Sequence, residues 1–171
     1  TPWLVTDRTN VLAIRLDNPP NSSRWYPGAG LYRNSWLTIV PALRFGHNGV
    51  FVTCPRVTRD EAVVNVDITL QNSLPDGVEV KISTTIAPLD AHAPTLPSTS
   101  PPVSANCWVD ANNQTQRTLC HRVVTPRLWS LTDRALYVLT AQLELDGRVV
   151  DRVESAFGIR TARFDVDRGF L

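Results

Sequence analysis

The stretch Val64-Asn65-Val66-Asp67-Ile68-Thr69-Leu70-Gln71 alternates apolar and polar side chains without a break. Successive side chains on a strand point to opposite faces. Val64, Val66, Ile68 and Leu70 therefore share one face, and Asn65, Asp67, Thr69 and Gln71 the other. That period predicts a β-strand with one buried and one wet side. Pro75-Asp76-Gly77 follows as turn chemistry, Pro presetting φ and Gly able to take a positive φ. A second alternating run comes next, with Val78, Val80, Ile82, Thr84 and Ile86 set against Glu79, Lys81, Ser83 and Thr85. Two such runs around a tight turn read as neighbouring strands, their pairing depending on the sandwich topology.

Further strand signals extend in both directions. Val11 to Leu16 is a short β-run stopped by Asp17-Asn18-Pro19-Pro20. Residues 87–102 are rich in Pro, Ser, Thr and Ala, and Pro97, Pro101 and Pro102 argue against regular structure, leaving a loop or an edge segment. Strand patterns resume at Thr118 to Val124 and at Ala135 to Leu145. Asp146-Gly147 is a hairpin signature, and Arg148 to Ile159 continues beyond it. No segment keeps a helical period over 11 or more residues. Short strands at such spacing, with turn signals between them, predict an all-β fold, specifically an immunoglobulin-like β-sandwich.

Composition narrows the function. The chain has 171 residues, 43% of them hydrophobic, and a formal net charge of +1. This balance gives no electrostatic reason to expect nucleic acid or an anionic membrane as partner. No apolar run approaches the ~20 residues of a membrane span. No leader pattern opens the sequence, so the compartment cannot be read from one. Met is absent, and the chain finishes on Arg168-Gly169-Phe170-Leu171, which leads to the expectation of a piece of a longer protein. Lys81 is the only lysine among 17 basic residues, a hint of a GC-rich bacterial gene.

Candidate chemistry is sparse. Cys54, Cys107 and Cys120 lack CxxC spacing, and His47, His92 and His121 offer no zinc-ligand intervals beyond the adjacent Cys120-His121. A Cys107–Cys120 disulfide is one reading of the thiols, and free cysteines are the favoured one. Asp60-Glu61, Glu144, Asp151 and Glu154 fall on strand flanks or wet faces and are expected to be solvated. Asp165-Val166-Asp167 is too short a cluster for calcium. There is no nucleophile elbow and no Gly-rich phosphate loop, so no catalytic residue, cofactor or metal is expected.

Two blocks carry a resemblance. The first is Asn21-Ser22-Ser23-Arg24-Trp25-Tyr26-Pro27-Gly28-Ala29-Gly30-Leu31-Tyr32-Arg33-Asn34-Ser35-Trp36-Leu37, preceded by the run Asn10 to Asn18. It resembles the end of the jelly-roll domain of family 2 glycoside hydrolases, the family of β-galactosidases, β-glucuronidases and β-mannosidases. The second comprises Pro126-Arg127-Leu128-Trp129-Ser130, Leu136-Tyr137, Asp146-Gly147 and Phe157-Gly158-Ile159-Arg160. It is similar to the run that closes that family's immunoglobulin-like sandwich. Ala135 stands where the family usually has Pro.

The resemblance implies a domain plan. Residues 1–40 would be the C-terminal strands of a jelly roll, 48–163 the immunoglobulin-like sandwich, and 164–171 the lead-in to a (β/α)8 barrel carrying both catalytic glutamates. Retaining glycosidases need two carboxyls about 5–5.5 Å apart, and neither glutamate has a counterpart here. The implied role is a non-catalytic support in a retaining exo-β-glycosidase, β-galactosides being the first guess, with the jelly roll and barrel as intramolecular partners and a carbohydrate as the parent's substrate. Arg24, Trp25 and Tyr26 admit a sugar platform. The favoured alternative is a domain-joining plug in which Trp25 and Trp36 pack inward, Arg24 or Arg33 pairs with a carboxylate, and Gly28 and Gly30 turn the chain. Trp129 and Tyr137 read as core or interdomain anchors, and Arg160 as a salt-bridging residue at the seam with the barrel. The rival from another class is a stand-alone carbohydrate-binding or adhesion module, since fold does not fix function.

Overall fold

The computed structural model describes residues 4–5, 7–21, 28, 30–89 and 100–170. It separates into two compact units, 1–39 and 40–171.

In the second unit the described strands are β1 (Leu43–Val57), β2 (Glu61–Asn72), β3 (Val78–Pro88), β4 (Ser100–Val109), β5 (Gln114–Val124), β6 (Tyr137–Leu145) and β7 (Arg148–Phe157), with a small ribbon of β8 (Phe164–Asp165) and β9 (Gly169–Phe170). They form sheets ordered β1-β2-β5 and β4-β3-β6-β7, all neighbours antiparallel. This is the immunoglobulin-like sandwich expected from the sequence. Its fourth strand stays beside the third instead of joining the opposite sheet, a variation among sandwiches of this class.

The alternating runs behave as predicted face by face. Val64, Val66, Ile68 and Leu70 of β2 are at most 1% exposed, and they meet Val80, Ile82 and Ile86 of β3 and Leu139 and Leu143 of β6 across the core. Each such buried aliphatic side chain stabilises the fold by about 1.5–3 kcal/mol. The neighbour expectation is corrected, however, because β2 and β3 belong to opposite sheets. Alternation specifies which face is buried and says nothing about the partner.

Asn72 makes the crossing possible. It is 2% exposed, its Nδ2 donates to the carbonyls of Asp76, Val109 and Asp110, and its Oδ1 accepts from Leu74 N at 2.9 Å. Gly77 has a different use from the one expected. Its φ is not positive; instead a Cβ there would lie 2.5 Å from Cζ2 of Trp108, so the residue makes room for the indole. At Asp146-Gly147 the hairpin signature holds, with φ of 52° and 74° between β6 and β7, as a type I′ turn requires.

Three further expectations change. Pro101 and Pro102 lie within β4, opposite the register shift between Thr84 and Ile86. β4 is an edge strand, so the missing N–H groups break no ladder on its outer side. β5 begins at Gln114, earlier than Thr118, and β1 begins at Leu43. In the first unit, Val11 to Leu16 forms no strand among the described residues, and Val11 and Leu12 are 88% and 86% exposed. Without a partner strand an isolated β-run has no ladder to complete.

The buried interior also contains a polar bridge. His121 on β5 is 1% exposed; its Nε2 lies 2.7 Å from Thr84 Oγ1 on β3, and its Nδ1 lies 2.8 Å from Ser100 Oγ at the start of β4. Burial holds the imidazole below its ordinary pKa. The neutral ring offers one donor and one acceptor, and each hydroxyl can supply the complement. The bridge ties the two sheets together.

Candidate functional site

Apart from the Asp146-Gly147 hairpin at the far end of β6 and β7, the second sequence block gathers at one end of the sandwich. Tyr137 and Phe157 are register partners on β6 and β7, with ring centroids 5.9 Å apart. Tyr137 is 1% exposed, and its hydroxyl accepts the backbone N–H of Arg127 at 2.8 Å. A buried phenol needs such a partner, and the bond fixes where the chain leaves β5. Pro126 is buried just before it. Arg127 then grips Asp133 in a two-pronged pair, Nε to Oδ2 at 2.8 Å and a terminal nitrogen to Oδ1 at 2.7 Å. Ser130 N donates to Asp133 O at 2.6 Å, and Asp133 N donates to Ser130 Oγ at 2.9 Å, closing the turn.

This loop lies on the strand end that follows β7. Trp129 N donates to Ile159 O at 2.9 Å, and Ile159 is fully buried. Gly158 permits the approach, since a Cβ there would sit 3.0 Å from Trp129 Cβ and 3.1 Å from Cγ and Cδ1. Arg160 places its guanidinium carbon 4.8 Å from the Trp129 ring centroid. Such stacking suits a planar guanidinium over an aromatic face. Pro126, Trp129, Tyr137, Phe157, Gly158 and Arg160 thus form one cluster, with Trp129 half-buried and Arg160 and Leu131 exposed.

The first block is described only in part. Arg24, Trp25, Tyr26 and Pro27 lie outside the described residues. Gly28 and Gly30 are exposed, with open space around each. Tyr32 is 86% exposed, and its ring carries Arg33 at 5.4 Å in place of the expected carboxylate pair. Trp36, expected to pack inward, is 84% exposed, because no described strand covers it.

Several acidic side chains are already engaged. Glu61 receives both Arg56 and Arg122, and its side chain is only 13% exposed, which corrects its reading as freely solvated. Partial desolvation acts to raise its pKa, but the hydrogen bonds and charges of Arg122 and Arg56 together hold it below the usual range. Glu144 pairs with Lys81 at 3.4 Å, Glu154 with Arg152 at 2.5 Å, and Asp151 accepts Phe45 N at 2.8 Å. A general acid needs an environment that keeps its proton on, and cationic neighbours do the reverse. Asp165 Oδ1 accepts from the N–H groups of Asp167 and Arg168 in the ribbon turn. The three cysteines are free. Cys107 faces the core while Cys120 points outward between buried Leu119 and His121, so the disulfide reading is set aside. The His121–Thr84–Ser100 bridge was missed from sequence. Its signal is a polar residue on the inward phase of two different strands.

Comparison with known proteins agrees with the second block. The chain is 34% identical to the β-galactosidase BoGH2A of Bacteroides ovatus over 99% of its own length and 19% of that protein's. It is 28% identical to a putative β-glucuronidase of Formosa agariphila, covering 94% of the chain and 14% of the relative. A solved glycosyl hydrolase family 2 member from Bacteroides cellulosilyticus superposes with a TM-score of 0.77 at 31% identity, over 91% of this chain and 21% of that one. The chain therefore spans between about a seventh and a fifth of the length of these relatives. The model for glycosyl hydrolases family 2 matches residues 48–160, and the chain belongs to that family.

Proposed function

We propose that this chain is a non-catalytic supporting part of a retaining exo-β-glycosidase, with β-galactosides as the substrate class. Residues 1–40 are the closing strands of a jelly roll, 48–163 the immunoglobulin-like sandwich, and 164–171 the approach to a catalytic barrel. The observation that carries the reading is the engagement of the acids. Glu61, Asp133, Glu144 and Glu154 each face a cationic side chain, so none is set up as a proton donor to a leaving group. The Trp129–Arg160 cluster supplies a rigid surface of aromatic and cationic character, the composition favoured where one structural part packs on another. Relatives named as a β-galactosidase and a β-glucuronidase support a glycosidase parent.

The test has two arms. The 171-residue chain should leave aryl β-galactosides and β-glucuronides intact, and the gene should continue in frame beyond the Leu171 codon into a protein that cleaves the galactoside. Hydrolysis by the chain alone would overturn the non-catalytic role, and a stop codon after Leu171 would overturn the supporting one.

A further inference from the structure

At the end of the sandwich opposite the Trp129 cluster, β1, β2 and β5 open into a cleft of about 270 Å3. Its floor is a row of register partners, Arg44 to Gln71 and Gln71 to Gln114, all on the outer face of the sheet. Asn112 lines the wall from the turn before β5, where its φ of 50° commits the backbone. Among the described residues, no carboxylate and no large apolar side chain lines this cleft.

Two features mark the cleft. Among the described residues, the carboxamides of half-buried Gln71 and of exposed Asn112 and Gln114 have no hydrogen-bond partner within the protein, and all three residues line one space. Asn72 beside them is fully committed to the fold, so the frame is rigid while the lining is unspent. Arg44 is the second feature. Its Nη1 is anchored by Pro41 O and Ala42 O at 3.3 Å and by Ser73 Oγ at 3.1 Å. No carboxylate lies within ion-pair distance among the described residues, so a positioned and uncompensated cation faces the space.

The geometry points to a binding site for an acidic saccharide unit of the uronate type. A carboxamide presents a donor and an acceptor side by side, as does each sugar hydroxyl. The guanidinium is the natural partner of a planar carboxylate. The choice of a saccharide over another hydroxylated acid rests on membership in a glycosidase family, and it does not depend on the supporting role proposed above. An open cleft with one charge-assisted contact and a few amide bonds should bind with a dissociation constant on the order of millimolar.

The experiment is a titration of the 15N-labelled 171-residue chain at an ionic strength held constant with sodium chloride, following side-chain amide signals with sodium glucuronate, glucose and sodium acetate as probes. Glucuronate should shift the signals of Gln71, Asn112 and Gln114. Arg44→Gln should weaken binding roughly tenfold, the scale of a lost charged hydrogen bond. Because Arg44 also braces the start of β1, Gln71→Ala and Gln114→Ala serve as variants that leave the core untouched, and each should weaken binding several-fold. Absence of shifts at about 100 mM glucuronate, a hundredfold above the expected constant, would overturn the site. So would acetate binding as well as glucuronate, which would mark a general anion site, or glucose binding equally well, which would leave Arg44 without a role. None of these results bears on whether the chain supports a catalytic barrel.

Discussion

His121 gives the sharpest stability test. The folded protein holds its imidazole neutral between Thr84 and Ser100, below the ordinary pKa, while the unfolded chain titrates near pH 6.5. Below that value the unfolded state binds more protons than the folded one, so stability falls as pH falls. The loss levels off once the pH passes the folded pKa, and above about pH 7.5 the contribution is complete. The slope can reach about 1.4 kcal/mol per pH unit. Between pH 7 and pH 5.5 the loss is at most about 1.2 kcal/mol, the limit for a ring that stays neutral throughout. With a urea dependence of ~2 kcal/mol per molar, the unfolding midpoint should drop by up to about 0.6 M. All other titrating groups contribute as well, so the quantity to measure is the difference from His121→Gln. Glutamine keeps a donor and an acceptor but cannot take a proton. The variant should be less stable at pH 7.5 by about 1–2 kcal/mol, from two imperfectly replaced hydrogen bonds, and its midpoint should move less with acidification than the wild type's. Urea unfolding at several pH values, followed by tryptophan fluorescence, reads both numbers. Equal pH dependence in the two proteins would refute the buried-neutral account.

The other expectations concern packing and thiols. Gly158→Ala should destabilise by about 1–3 kcal/mol, because the new Cβ meets the root of Trp129 and would displace Arg160 and the bond to Ile159; thermal unfolding checks this. Gly77→Ala should cost less despite its nominally closer approach, since it meets the outer ring of a Trp108 that is 56% exposed and can swing out; a cost equal to that of Gly158→Ala would contradict the distinction. A thiol reagent should modify exposed Cys120 first and buried Cys107 only on unfolding, burial raising the Cys107 and Cys54 pKa values. Persistence of the fast phase in Cys120→Ser would show the assignment to be wrong.

Which parts were legible follows from what periodicity encodes. The faces of β2 and β3, the Asp146-Gly147 hairpin and the second motif block could be read directly, because alternation, turn chemistry and local motifs are all contained in adjacent residues. β1 hid because the run Gly46-His47-Asn48-Gly49 occupies a register shift, so the inward phase passes from Leu43 and Phe45 to Val50, Val52 and Cys54. An odd-to-even switch of that kind breaks a period-two pattern even though the strand continues through it. β4 hid behind Pro101 and Pro102, which only an edge position tolerates, and edge position is a property of the assembled sheet. The cleft was invisible for a related reason. Arg44, Gln71 and Gln114 are far apart in the chain and become neighbours only through the ladder.

That ladder also separates the two proposed uses of the domain. β5 begins at Gln114 in the cleft and ends at Val124, just before the Pro126–Trp129 loop. The eleven residues of that strand make ten steps of ~3.3 Å, about 33 Å, and between the two ends lies buried core that includes Val64, Val66, Leu139 and Ala141 at 0% exposure. Perturbations that far apart with no shared partner act independently. The arrangement suits a supporting domain that carries a ligand at one end, because the Trp129 end can be held by a neighbouring structure while the Arg44 end stays open. Asn72, the His121 bridge and the Tyr137 hydroxyl are each buried polar groups whose partners lie on another strand or loop. Those three positions, more than the interchangeable aliphatic residues around them, tie each end to the sandwich.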